Sequence, residues 1–222
     1  MIFDPLYFLL IGPPLLLGLW AQFRIRSTYA QAQRVAAPLS GAAAARHVLD
    51  SAGLTQVGVE QIGGHLSDHY DPRDKVLRLS PEVYQSRSLA AVGIAAHEAG
   101  HALQDARNYA PLVVRNAVVP VANFGSGAGM WMCILGLIFS VQPLLLVGMV
   151  VFAGVVFFQL VNLPVEFNAS NRAKEQLVAL NIVPAREMVY VNKVLNAAAL
   201  TYVAATLQAV MTLVYFFLRS RE

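Results

Sequence analysis

The chain has 222 residues, of which 57% are hydrophobic and only 13% are charged. A typical soluble domain is roughly half apolar and a quarter charged, so this composition excludes an ordinary soluble protein and predicts a membrane protein. The net charge of +3 is small and dispersed, which argues against a nucleic-acid partner. The single cysteine, Cys133, excludes a disulfide within the chain and is expected to pack as a small apolar residue.

Four apolar blocks are each long enough to cross a bilayer, which takes about 20 residues of helix. They cover residues 3–23, 117–140, 144–163 and 197–218. The first block does not fit a cleaved signal peptide, because Arg24 and Arg26 follow it instead of preceding it. We therefore expect a mainly α-helical membrane protein with about four transmembrane helices: one over 1–23, a hairpin over 117–163, and one over 197–222.

Basic residues predict the orientation of the chain. They concentrate in segments 24–116 and 164–196 and are missing from the turn between the second and third blocks. By the positive-inside rule, both segments face the cytoplasm and both termini lie outside. Arg219 and Arg221 depart from this rule, so the sequence leaves open whether the fourth block crosses fully.

Residues 24–116 are expected to form a small α+β zincin-like domain. A helix over 41–49 begins after Ser40 as N-cap and ends before Gly53. Strands are predicted at 57–62, 65–70 and 76–79, and the last two pair around a turn at 71–74. Ser80 and Pro81 then predict the start of a new helix. The strand at 76–79 is the candidate for holding an extended peptide, with an ordinary paired strand as the alternative.

The most informative motif is His97-Glu98-Ala99-Gly100-His101, within a helix predicted over residues 88–107. Positions i and i+4 of a helix share one face, so both imidazoles can bind one Zn²⁺ while Glu98 faces a water molecule on the ion. Zinc lowers the pKa of such a water to about 7, and the carboxylate can then take its proton. The surrounding helix is largely apolar, which favours a metal site over a chance motif on a solvated face.

A catalytic zinc usually takes a third protein ligand, which must lie on the same side of the membrane, before residue 116 or after residue 163. Glu166 is the favoured candidate. Pro164 is expected to begin a helix there, and the alternative role of Glu166 is only to complement the dipole of that helix. His65 and His69 are the competing ligands. His47 is expected to be a surface histidine.

Further residues are candidates for supporting roles. A tetrahedral oxyanion usually needs a donor besides the metal, and Arg172 and Tyr109 are favoured over Tyr84. The small residues at 125–129 predict close helix packing in lipid and do not form a phosphate loop.

At these motifs the chain resembles the YugP-type neutral zinc metallopeptidases of bacterial membranes. The resemblance runs through residues 69–73, 76–84, 96–102 and 163–167. The segment 166–170 is also similar to the Glu-aromatic-x-Ala-Asp element that supplies the third zinc ligand in HtpX-like and CAAX prenyl proteases. The resemblance implies a gluzincin-like peptidase with one catalytic Zn²⁺ held by His97, His101 and Glu166. Ser170 replaces the Asp of that element, so the hydrogen bonds behind the ligands are not implied.

The leading hypothesis is a zinc metalloendopeptidase of the bacterial cytoplasmic (inner) membrane that hydrolyses membrane-associated or misfolded proteins, with Glu98 as general base and proton donor. Its expected partners are the lipid bilayer and a peptide or protein substrate, and a regulatory membrane partner is left open.

The alternative is a non-catalytic membrane scaffold that keeps a structural zinc and binds a protein. Glu98 argues against it, because structural zinc sites fill all four positions with ligands. A transporter is disfavoured, because ionisable residues lie only near the ends of the apolar blocks.

Overall fold

The structure is a computed structural model that describes residues 4–64 and 67–221. It divides into two compact units. The first unit contains Met1–Gln22, Pro111–Pro164 and Leu200–Glu222, and the second unit contains Phe23–Ala110 and Val165–Ala199. Three helices run continuously from one unit into the other: α1 (Pro5–Gln33), α7 (Gln142–Ala179) and α8 (Met188–Arg219). The remaining elements are α2 (Gly41–Ser51), β1 (Gly58–Gln61), β2 (His69–Asp71), β3 (Val76–Leu79), α3 (Pro81–Gln85), α4 (Leu89–Ala106), α5 (Ala110–Phe124) and α6 (Met130–Ile138).

Four helical stretches of the described chain are long and apolar enough to cross a membrane. They are Pro5–Gln33, Ala110–Ile138, Gln142–Ala179 and Met188–Arg219. These helices are longer than the apolar blocks because helical structure continues into the polar flanks. In α7 it continues through Pro164, so the expectation that a new helix begins there is wrong. An interior proline removes one backbone hydrogen bond, and transmembrane helices tolerate this where neighbouring groups compensate.

Glycines allow close helix packing within the first unit. A Cβ atom at Gly125 would lie 2.7 Å from the backbone oxygen of Val151, and one at Gly129 would lie 2.9 Å from the backbone nitrogen of Phe152. Both glycines belong to a single π-helical turn, Gly125–Gly129, between α5 and α6. The predicted close packing at 125–129 is therefore confirmed for these two positions. Cys133 is buried in the same unit, as expected.

A three-stranded sheet in the second unit has the order β1-β3-β2. β1 pairs parallel to β3, and β2 pairs antiparallel to β3, with Tyr70 opposite Leu77. The predicted hairpin around residues 71–74 is confirmed. β3, however, is the central strand with a partner on each side, so the prediction that Val76–Leu79 offers an exposed edge to a peptide is wrong. Among the residues that the structure describes, β1 and β2 are the edge strands.

Local capping positions the helices of the second unit. The Ser40 hydroxyl accepts the Ala43 amide at the start of α2, and Gly53 follows the helix with a φ of +74°, as predicted. Ser88 caps α4 in the same way by accepting the Ala91 amide. The apolar side chains of α4 then pack into the main core of the unit, together with buried residues of α2, the sheet, α7 and α8. α4 is consequently held on most sides, which fixes the direction of its polar residues.

Candidate metal centre

Three side chains from two helices of the second unit converge on one point. His97 and His101 lie one turn apart on α4, with ring centroids separated by 4.8 Å and ring planes 82° apart. Glu166 Oε2, from α7, lies 3.2 Å from His97 Nε2 and 3.6 Å from His101 Nε2. The donor atoms of the three residues all lie within 4.8 Å of one another, so they could hold a metal ion.

The spacing and chemistry of these groups fit zinc. Ligands at about 2.0–2.1 Å from a tetrahedral ion lie about 3.3–3.4 Å from each other, close to the two measured nitrogen–oxygen distances. Two imidazoles and one carboxylate form a donor set known from catalytic zinc sites, which leave the fourth position open. His101 and Glu166 are buried, with 8% and 4% exposure. A divalent ion would therefore satisfy polar groups that the surrounding apolar side chains do not.

Each histidine has a second partner that orients its ring. His97 Nδ1 lies 3.1 Å from Ser170 Oγ, and His101 Nδ1 lies 3.0 Å from Gln104 Oε1. In a metal-bound site each Nε2 atom would bind the ion, so each Nδ1 atom would carry the proton and donate a hydrogen bond to these oxygens, an arrangement typical of metal-bound histidines. Ser170 thus provides the hydrogen-bond partner of His97 that the sequence left undetermined.

Gln104 connects the two helices that supply the ligands. Its side chain is fully buried, and its Nε2 group donates to the backbone oxygen of Val165 at 2.7 Å and to Asn168 Oδ1 at 3.1 Å. Sequence reasoning missed Gln104 and Asn168. The available indication was the helical spacing, because Gln104 follows His101 by three residues on an otherwise apolar face.

Glu98 lies beside the three-residue cluster and is only 8% exposed. Its Oε2 atom accepts the backbone N–H of Tyr70, on strand β2, at 3.1 Å. Burial raises the pKa of the Glu98 carboxyl above its usual range, although His97 and His101 partly lower it. A carboxylate that lies next to a metal position and whose pKa is raised by burial is a stronger base than an exposed one, as a proton acceptor requires. Sequence reasoning missed the contribution of Tyr70 to this arrangement.

Burial alone would lower the pKa of His101, but Glu166 and Glu98 outweigh it, and the pKa is raised. A metal ion therefore competes with a proton at this imidazole, so we expect metal affinity to rise with pH.

The other candidate ligands lie elsewhere or outside the described residues. His69 is exposed on β2, where its Nδ1 atom lies 2.7 Å from the Ser67 backbone oxygen. Among the residues that the structure describes, it takes no part in a metal-binding cluster. His65 lies outside the described residues. His47 is exposed on α2, as predicted.

The proposed oxyanion donors have different environments. The Arg172 guanidinium lies 5.9 Å from the centre of the Tyr109 ring, and its Nε donates to Asn168 Oδ1 at 2.7 Å. Asn168 also accepts from Gln104, so Arg172 is linked to the group behind His101. Tyr84 packs instead against the hydrophobic core of the unit.

The site thus defines a class of protein, in which two helical histidines and one glutamate can hold a metal beside a buried carboxylate. Comparison with known proteins agrees with this class. The family described as "Putative neutral zinc metallopeptidase" matches residues 7–221, and the chain belongs to this family. The chain is 45% identical over 211 residues to "Putative membrane protease YugP" of Bacillus subtilis (strain 168). The aligned region covers 93% of this chain and 94% of that protein. No solved structure matches the chain.

Proposed function

We propose that the protein is a membrane-embedded zinc metalloendopeptidase that hydrolyses peptide bonds of membrane-associated or misfolded proteins. One observation carries the proposal: His97, His101 and Glu166 form a cluster compatible with one zinc ion, and Glu98 lies buried beside it without belonging to the ligand set. A purely structural zinc site has no use for such a carboxylate. The family of the chain and its bacterial relative support the same conclusion.

Each residue of the site has a separate proposed role in the reaction. When bound, zinc supplies a Lewis acid that polarises the substrate carbonyl and makes water more acidic. Glu98 accepts a proton as the water oxygen bonds to the carbonyl carbon, and it returns this proton to the amine nitrogen when the carbon–nitrogen bond breaks. The N–H of Tyr70 holds the Glu98 carboxylate in place during both transfers. Arg172 and Tyr109 are proposed to stabilise the developing oxyanion.

The open edge of β2 is the proposed place for an extended substrate. An edge strand can bind a peptide through main-chain hydrogen bonds. The N–H of Tyr70 already donates to the proposed general base, so the other main-chain groups of this edge are proposed to hold the substrate. The site is proposed to face the cytoplasm from a bacterial cytoplasmic membrane, because basic residues concentrate in segments 24–116 and 164–196.

Purified protein in detergent tests this function with casein and a membrane protein as substrates. We expect Glu98→Gln to lower the cleavage rate by at least about 100-fold, because the general base is lost, with one zinc still bound per chain. Glu166→Ala should lose both zinc and cleavage. If Glu98→Gln cleaves as fast as the native protein, the proposed mechanism is wrong. A scaffold would retain its cellular role in the Glu98→Gln strain, whereas a peptidase would lose it.

A further inference from the structure

Tyr70 contacts α4 at two separate points. Its backbone N–H donates to Glu98 Oε2 at 3.1 Å, and its hydroxyl donates to Asp105 Oδ2 at 2.6 Å. Lys75, in the turn just before β3, places its Nζ 2.5 Å from the same Asp105 oxygen. We propose that Tyr70, Asp105 and Lys75 form a clamp that positions Glu98 as the general base, an inference that rests on the proposed function.

The helix geometry explains why two contacts matter. Glu98 and Asp105 are seven residues apart, which is about two turns or 10.5 Å along α4, so both side chains project from one face of the helix. A tyrosine that is held at both points lies along this face and can neither slide along the helix nor rotate away from it. The position of the Tyr70 N–H is thereby fixed, and so is the carboxylate that accepts its hydrogen bond.

The environment of Tyr70 determines that its hydroxyl is the donor in the hydrogen bond to Asp105. Burial raises the pKa of the Tyr70 hydroxyl, and the hydrogen bond to Asp105 raises it further. The phenol therefore keeps its proton over the neutral pH range and is the donor in its hydrogen bond to Asp105. The Lys75 side chain is 52% exposed, so solvent screens its pairing with Asp105. Most of the positioning is consequently assigned to the contact between Tyr70 and Asp105.

An anchor that served only stability would give a different experimental result from a clamp on the general base. Tyr70→Phe removes only the hydroxyl, leaving the backbone N–H and the ring. Misplacing a catalytic group by about 1 Å costs up to about 100-fold in rate. We expect Tyr70→Phe to lower kcat about 10- to 100-fold while KM changes less than about threefold and one zinc stays bound per chain.

Matched variants make this result specific. Tyr29→Phe removes the hydroxyl of a half-buried tyrosine on α1 and should leave kcat unchanged. Asp105→Ala should match Tyr70→Phe, whereas Asp105→Asn keeps an oxygen acceptor and should recover most of the rate. The double variant Tyr70→Phe/Asp105→Ala should be no slower than either single variant, because both changes break the same contact.

Three outcomes would overturn the clamp: an unchanged kcat in Tyr70→Phe, multiplicative losses in the double variant, or a loss explained entirely by lower zinc content. If Tyr70→Phe does not fold, the kcat of Asp105→Asn is compared with that of Asp105→Ala, which tests the same contact. The clamp alone would be rejected if the native protein is active, Glu98→Gln is inactive and Tyr70→Phe is unaffected. A native protein that lacks zinc-dependent cleavage would instead reject the proposed function.

Discussion

At the scale of single residues, the groups behind the two imidazoles are uncharged. His97 is paired with a hydroxyl and His101 with an amide, whereas many metal-bound histidines donate to a carboxylate. Gln104 carries more of this role than Ser170, because its amide also bonds to the backbone and to Asn168 of α7. In a metal-bound site its oxygen would accept a hydrogen bond from His101 Nδ1, while its nitrogen holds the amide against α7.

We predict that Gln104→Ala lowers zinc affinity about 10- to 100-fold, because the ring of His101 loses the partner that orients it. Competition with a chromophoric chelator measures the affinity independently of cleavage. Gln85→Ala is the matched control, since the Gln85 side chain is exposed and bonds only to Gln61 among the residues described. Equal affinities in the native protein and Gln104→Ala would show that the amide does not orient the ligand.

At the scale of secondary structure, the proposed ligand set requires α4 and α7 to approach closely. Gly100, between the two histidines, faces the backbone of α7, and a Cβ at this position would lie 2.5 Å from the Ala169 oxygen. Backbone atoms cannot move aside as the end of a flexible side chain can. The distance between the imidazoles and Glu166 thus depends on the absence of a side chain at Gly100.

Gly100→Ala is predicted to destabilise the protein by about 1–3 kcal/mol, as overpacking usually does, and to weaken zinc binding because the ligand helices are pushed apart. Thermal unfolding in detergent and metal analysis measure the two effects. Gly12→Ala on α1 is the control, because a Cβ there meets nothing within 4 Å. The packing argument fails if both variants melt at the native temperature and retain their zinc.

Several elements were predictable from the sequence because their determinants are local. The caps of α2, the hairpin and the spacing of His97, Glu98 and His101 all depend on residues within a few positions of each other. The central position of β3 in the sheet could not be predicted, because its parallel pairing with β1 is not visible in a local sequence pattern. Three of its four residues are buried apolar side chains, which is typical of a central strand and was the available indication.

The contacts of Glu98 and Gln104 also escaped sequence reasoning. Tyr70 lies 28 residues before Glu98, and Val165 lies 61 residues after Gln104, so only the folded arrangement of β2, α4 and α7 brings them together. Glu166 was predicted as a ligand mainly because segment 166–170 resembles the element that supplies the third zinc ligand in related proteases, while the count of apolar blocks limited which segments share a side of the membrane. The continuity of α7 through Pro164 then rules out the alternative in which Glu166 only complements the start of a helix.

At the scale of the whole molecule, bound zinc should act as a cross-link between two long helices. α7 has 38 residues, which corresponds to about 57 Å at 1.5 Å per residue and exceeds the hydrocarbon thickness of about 30 Å. The ligands on α4 and α7 come from segments that are distant in sequence. Ions that bind only the folded chain stabilise it by mass action.

We predict that removal of zinc by a chelator lowers the melting temperature, and that zinc at 1,000 times its dissociation constant restores about 4 kcal/mol. Differential scanning fluorimetry of the detergent-solubilised protein measures the shift. Glu98→Gln keeps all three ligands and should retain the shift, whereas Glu166→Ala should lose most of it. A shift that persists in Glu166→Ala would mean that the ion binds elsewhere.

The order of the ligands along the chain has a consequence for biosynthesis. Glu166 follows His97 by 69 residues, and two of the four candidate membrane helices begin between them. At about 5–20 residues per second, a ribosome adds Glu166 roughly 3–14 seconds after the first histidine. A nascent chain that has not yet reached this residue lacks one of the three proposed ligands, so the proposed peptidase could become active only after the second half of the hairpin has been synthesised.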